Sequence, residues 1–193
     1  ITKNQVTAPT IGDIAIGSDV TAEGGIALGS NSTLKGIGNE VSIGNNNTVT
    51  NTNFIDRSSI AIGQGNKSKE GGVAIGSQAV AADVAIAMGH IATAKGSSSV
   101  SIGNTSSAEG SNSIALGVST GALGDSSLAV GGGAIVTSEG GVALGAAAFV
   151  VAKDGVALGS GSFAKTVAGV NGYDPSTGIA STDVSSTWKS TAG

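Results

Sequence analysis

Val142-Ala143-Leu144-Gly145-Ala146-Ala147-Ala148-Phe149-Val150-Val151-Ala152-Lys153-Asp154-Gly155 is one unit of a repeat, and Val156-Ala157-Leu158-Gly159 opens the next. The signature is apolar, small, apolar, glycine. It occurs eleven times, ending at Gly17, Gly29, Gly44, Gly63, Gly76, Gly89, Gly103, Gly117, Gly131, Gly145 and Gly159. From Gly89 onward the spacing is fourteen without exception; before that it runs 12, 15, 19, 13 and 13. A period this short and this persistent is the mark of a solenoid.

The rest of each unit is patterned too. Three and five residues after the signature glycine stand small or apolar residues, as at Ala92 and Ala94 or Ala148 and Val150. Between them is usually Thr, Ser or Lys, as at Thr21, Thr33, Thr93 and Ser107. Alternation with period two predicts a strand. A second turn follows, with glycine at Gly24, Gly36, Gly96, Gly110 and Gly124. One unit therefore reads strand, turn, strand, turn. Fourteen residues cannot close a core alone, but stacked units pair strand on strand about 4.8 Å apart. Eleven coils predict a rod roughly 50 Å long on that spacing.

Composition agrees. Aromatic residues make up 3% of the 193 residues, against 33 glycines and 39% apolar content. The core is expected to be thin, filled by Ala, Val, Ile and Leu, with Ser, Thr, Asn and Gly on the surface. Net charge of −4 argues against a nucleic-acid binder, which needs clustered cations. Absence of cysteine excludes a disulfide scaffold. No apolar run reaches the length of a membrane span, and Ile1-Thr2-Lys3-Asn4 does not open a signal peptide, so targeting and anchoring parts are expected elsewhere.

Along each signature strand the first and third residues face one way and the second the other, Ile14 and Ile16 against Ala15. Both rows are apolar. One lines the roll, and the other is left as a continuous stripe that calls for self-association of identical rods. Periodicity leaves open which row is which.

Iterated Val-Ala-Ile-Gly, followed by Ser-x-Ala or Ala-x-Ala at a period near fourteen, resembles the head repeats of trimeric autotransporter adhesins, the YadA-like heads with haemagglutinin-type repeats. The resemblance spans about residues 11–165. It implies an all-β, left-handed parallel β-roll of about eleven coils, assembled as a parallel homotrimer. It also implies display on the outer membrane of a Gram-negative bacterium and attachment to host cells or extracellular matrix through multivalent protein contacts. A spacer or a self-aggregation and biofilm module is the alternative within the same family. The tail, with Val170-Asn171-Gly172-Tyr173-Asp174-Pro175 and Ser186-Thr187-Trp188-Lys189-Ser190, looks like the start of a Trp-ring element. The expected division is a head at 1–165 and the start of a connector at 166–193.

Irregularities point to candidate binding residues. The nineteen-residue unit carries an insertion, Asn51-Thr52-Asn53-Phe54-Ile55-Asp56-Arg57, with the chain's single arginine. Asn53, Phe54, Asp56 and Arg57 are its candidate contacts, since loops on rigid scaffolds often bind; the plainer reading is a tolerated insertion. Ile135, Phe149 and Phe163 hold one repeat position in successive coils, with Val80 at the same position earlier. They are expected to form an exposed ladder that grips a partner protein or packs within the assembly.

No catalytic, cofactor or metal site is expected. His90, the one histidine, stands alone after Gly89 and reads as a solvated turn residue. Gly63-Gln64-Gly65-Asn66-Lys67-Ser68 lacks the spacing of a phosphate loop. The turn carboxylates do not repeat the Gly-Gly-x-Gly-x-Asp pattern of a calcium roll. An acyltransferase β-helix needs a six-residue period, and an ice-binding solenoid needs a regular Thr array, which the mixed outer row does not offer.

Overall fold

The computed structural model describes residues 6–7, 13–52, 58–167, 169, 173–174 and 179–180. The described residues between 14 and 165 wind into a parallel β-solenoid. Each coil contributes a signature strand, such as Val100–Ile102, Ile114–Leu116 and Leu128–Val130. Each also contributes a shorter second strand, such as Ser107–Ala108, Gly121–Ala122 and Ile135–Val136. Every strand pairs in parallel with its equivalent one coil away. Ile86, Ala87 and Met88 sit beside Val100, Ser101 and Ile102, which sit beside Ile114, Ala115 and Leu116. Near the start, Val20–Ser30 and Thr33–Asn45 run through a corner as single long strands, with a register shift between Glu23 and Gly25. Tyr173–Asp174 and Ile179–Ala180 form a separate antiparallel pair.

Unequal spacing does not disturb the register. Across the nineteen-residue unit, Val41 still pairs with Ile60 and Gly44 with Gly63, while Lys35, Thr50 and Lys69 stack in one column. The ladder is in register up to Thr50 and again from Ile60.

The alanine row of the signature strand faces inward. Ala27, Ala61, Ala74, Ala87, Ala115, Ala129, Ala143 and Ala157 are buried, while the flanking Ile, Val, Leu and Met residues are half-buried or exposed. Four positions per coil line the interior: the middle of the signature, the residue before it, and the two small positions of the second strand. In one coil these are Ser99, Ser101, Ser106 and Ala108. The expectation of an Ala, Val, Ile and Leu core is thus corrected. No isoleucine belongs to the buried core of the described residues, whose largest apolar members are Leu34, Val20, Val49, Val136 and Val150. Serine and asparagine, expected outside, also fill the interior. The gap between the two sheets of a fourteen-residue roll is too narrow for branched side chains at every level, so small residues take it and large ones are turned out.

Several buried polar side chains are tied to the coil above. Asn47 donates through Nδ2 to the carbonyls of Ile43 (2.9 Å) and Gly63 (3.0 Å), and its Oδ1 accepts from the backbone N–H of Asn66 (3.0 Å). Asn66 repeats the pattern to Ile62, Gly76 and Ala79. Ser32 and Thr120 likewise reach the carbonyls of Gly44 and Gly131. In each case an interior side chain clamps the next signature glycine, which removes the penalty of its burial.

The signature glycine is required by close approach. At Gly103, φ is +141°, and a Cβ would lie 2.1 Å from the carbonyl oxygen of Gly117. Two residues later the chain turns through the left-handed region even without glycine, at Asn31, Gln78, Ile91, Thr105 and Ser119. His90 lies just before this corner, as the exposed last residue of Ile86–His90 rather than within a turn.

Two outcomes follow. Gly103→Ala is expected to lower stability by about 3 kcal/mol or more, since backbone must shift as well as adopt a strained φ; urea titration measures it. Ser113 and Ser127 bury hydroxyls that have no hydrogen-bond partner, at the position filled by Ala85 in another coil. Ser113→Ala and Ser127→Ala are each expected to raise stability by about 1 kcal/mol in the same titration.

Candidate partner-binding surfaces

The roll presents two outward faces of different chemistry. On the signature face, two apolar columns run the length of the coils. One passes through Ile86, Val100, Ile114 and Leu128, the other through Met88, Ile102, Leu116 and Val130. Ile102 is 40% exposed and Leu158, in the last coil, 74%. This exposure follows directly from the small interior: the residues that cannot fit between the sheets form a hydrophobic wall outside.

The second face is built by the outward residues of the second strands, which fall four and six places after each signature glycine. In the early and middle coils these are mostly polar, as at Thr33 and Lys35, Thr48 and Thr50, Lys67 and Lys69, Thr93 and Lys95, Ser107 and Glu109, with Val80 and Ala82 interrupting them. Lys95 pairs with Glu109 at 3.4 Å, and Lys153 with Glu139 at 2.9 Å. The hydrogen bond that Lys153 donates to Glu139, with the charge of that carboxylate, holds its ammonium above the usual lysine pKa.

Toward the C-terminal coils this face turns apolar. Ile135, Phe149 and Phe163 pair in register as one ladder. The rings of Phe149 and Phe163 stack with centroids 5.3 Å apart and planes 12° from parallel. Phe163 is 53% exposed, and the Lys165 ammonium lies 5.9 Å from its ring centroid, within cation–π range. Leu123 and Val151, exposed on the adjacent column, widen the patch, and Val118 is exposed at the preceding corner. Sequence reasoning named the ladder and missed these three. The signal was available, because Leu123 and Val151 lie two residues beyond the ladder position and so share its face.

Asn53, Phe54, Asp56 and Arg57 lie outside the described residues. The base of their insertion is described. Asn51 is buried and donates through Nδ2 to Oε1 of Glu40 at 3.0 Å; Glu40 is itself fully buried. Thr52 donates its backbone N–H and its hydroxyl to Oε1 of Glu70, at 3.2 and 3.1 Å. The Ser59 hydroxyl accepts from the N–H of Gly71 at 2.8 Å. Asn51 and Thr52 therefore serve the roll. Trp188 also lies outside the described residues. Among the described residues no group of His, Cys, Asp and Glu is placed to hold a metal ion.

Comparison with known proteins places this geometry. A family model described as the YadA head domain repeat (2 copies) matches residues 85–106, 94–120, 108–134 and 122–148. The last three matches begin fourteen residues apart, one coil at a time. No curated protein matches the chain. The matched coils share one strand register with the coils before and after them. With an inward alanine row, a column of glycines in close backbone approach and the fourteen-residue period all present in that stretch, residues 85–148 of the chain match the YadA head domain repeat in sequence and in form.

Proposed function

We propose that the chain is the head of a trimeric autotransporter adhesin, held at the surface of a Gram-negative bacterium and attaching it to host cells or extracellular matrix. The observation that carries this reading is the apolar wall on the signature face. A continuous hydrophobic stripe along a rod is covered most simply by identical rods aligned in parallel, and three of them close the symmetry. The coil would be left-handed, as in the heads it resembles. Residues 1–165 form the head, and 166–193 begin a Trp-ring-like connector to the rest of the protein.

With the signature face inside the trimer, the second-strand face points outward on all three sides. Weak contacts then occur in threes on a stiff support, and effective concentration turns them into firm attachment. The Ile135–Phe149–Phe163 ladder, with Leu123 and Val151, is the proposed grip on a host protein, because aromatic and aliphatic anchors dominate such interfaces. The insertion residues Asn53, Phe54, Asp56 and Arg57 are a second proposed contact.

Light scattering tests the assembly: a mass three times the 18.2 kDa of the chain is expected, and a monomer would sink the reading. Ile102→Asp combined with Ile114→Asp is expected to release monomers, because each side chain contributes roughly 1.5–3 kcal/mol when fully buried and a charge there would be unpaired. Phe149→Ser with Phe163→Ser is expected to weaken binding to matrix proteins by about tenfold or more while the trimer mass stays unchanged. Loss of the trimer in that variant would instead place the ladder in the assembly. Deleting residues 53–57, and sparing Asn51 and Thr52, asks the same question of the insertion.

A further inference from the structure

Lys35, Lys67 and Lys69 set one stretch of the outer face apart from everything around it. All three are exposed. They form no ion pair among the described residues, whereas Lys95 and Lys153 each have a glutamate within 4 Å. Lys67 and Lys69 flank the buried Ser68 on one strand and so point the same way. Lys69 stacks on Thr50, and Thr50 on Lys35. That column places the backbone positions of two lysines about 9.6 Å apart along the rod, two strand spacings, with a threonine between them. Thr48 and Thr33 lie beneath Lys67 in the neighbouring column. The nearby carboxylate of Glu70 is engaged by Thr52, and Glu23, one coil below Lys35, bounds the patch. A cationic, hydroxyl-lined strip thus stands on a chain whose net charge is −4.

We propose that this strip binds a sulfated polysaccharide chain lying along the rod. The straight column matches a linear polymer bearing anions at regular intervals. Lysines meet sulfates as point charges, and Thr33, Thr48 and Thr50 supply hydroxyls for sugar oxygens. A single-stranded nucleic acid fits poorly, since among the described residues the outward rows of these coils hold no aromatic side chain on which bases could stack. The strip is separate from the aromatic ladder, and it rests on the signature face being the assembly face, which leaves the outer sheet open.

The test uses the assembled chain with three probes: a size-defined heparin oligosaccharide, its desulfated counterpart, and a single-stranded DNA of matched charge. Calorimetry should show heparin binding that weakens with salt, with the desulfated sugar and the DNA both weaker by about tenfold or more. The triple variant Lys35→Gln, Lys67→Gln, Lys69→Gln should lose about tenfold or more in heparin affinity. The control variant Lys95→Gln, Lys153→Gln, Lys165→Gln should not. All six side chains are exposed, so circular dichroism and scattering mass should match the parent in both variants. Absence of heparin binding, equal loss in the control variant, or DNA binding as tight as heparin would overturn the proposal. A monomeric parent would defeat the assembly reading alone; the heparin result with the lysine variant would still decide this one.

Discussion

Each coil lays its signature glycine against the backbone of the next. A Cβ at Gly89 would stand 2.4 Å from the carbonyl oxygen of Gly103, and one at Gly17 would overlap Gly29 outright. This contact fixes where successive coils sit, so every other position in the unit falls into a straight column. Columns then sort by the space available to them. The inner four receive Ala, Ser, Asn and occasional Val, because the sheets are close. The outer ones receive whatever the surroundings of the rod demand. Where an inner residue is polar, as at Asn47 and Asn66, its side chain reinforces the same contact by bonding the carbonyl of the glycine above. Interior packing, register and surface layout all descend from one backbone approach repeated along the chain.

Much of this could be read from the residues. The period, the strand-turn-strand-turn unit and the in-register ladder of Ile135, Phe149 and Phe163 follow from spacing alone, since a two-residue alternation and a recurring turn leave few arrangements. The direction of the signature strand did not. Ile14-Ala15-Ile16 has two apolar faces, and hydrophobicity by itself favours burying the larger one. What reverses that choice is volume, a property of two sheets facing each other that no single unit displays. The same reason misplaced serine. Ser99, Ser101 and Ser106 count as polar in composition, yet they are among the few side chains small enough for the interior, and the hydroxyls of Ser101 and Ser106 meet at 2.7 Å within it.

The insertion shows the opposite limit. Its presence is plain from the nineteen-residue spacing, but its boundary is not. Asn51 and Thr52 look like loop residues and are structural. One meets the buried carboxylate of Glu40 and the other ties to Glu70 in the following coil. Long-range partners of this kind leave no trace in a local pattern, because the residues that bond lie eleven and eighteen positions apart in sequence.

Coil lengths of 12, 13, 14, 15 and 19 residues all join one ladder, and each coil bonds only to its neighbours. Such a rod has no preferred number of coils. Gaining or losing one unit in frame would move everything beyond it by a single strand spacing, about 4.8 Å, and leave the remaining contacts as they were. Reach is then a quantity that recombination between repeats can adjust in small steps, independently of the chemistry painted on the outer rows. Two descendants of one gene can carry the same outer columns at different distances along the rod.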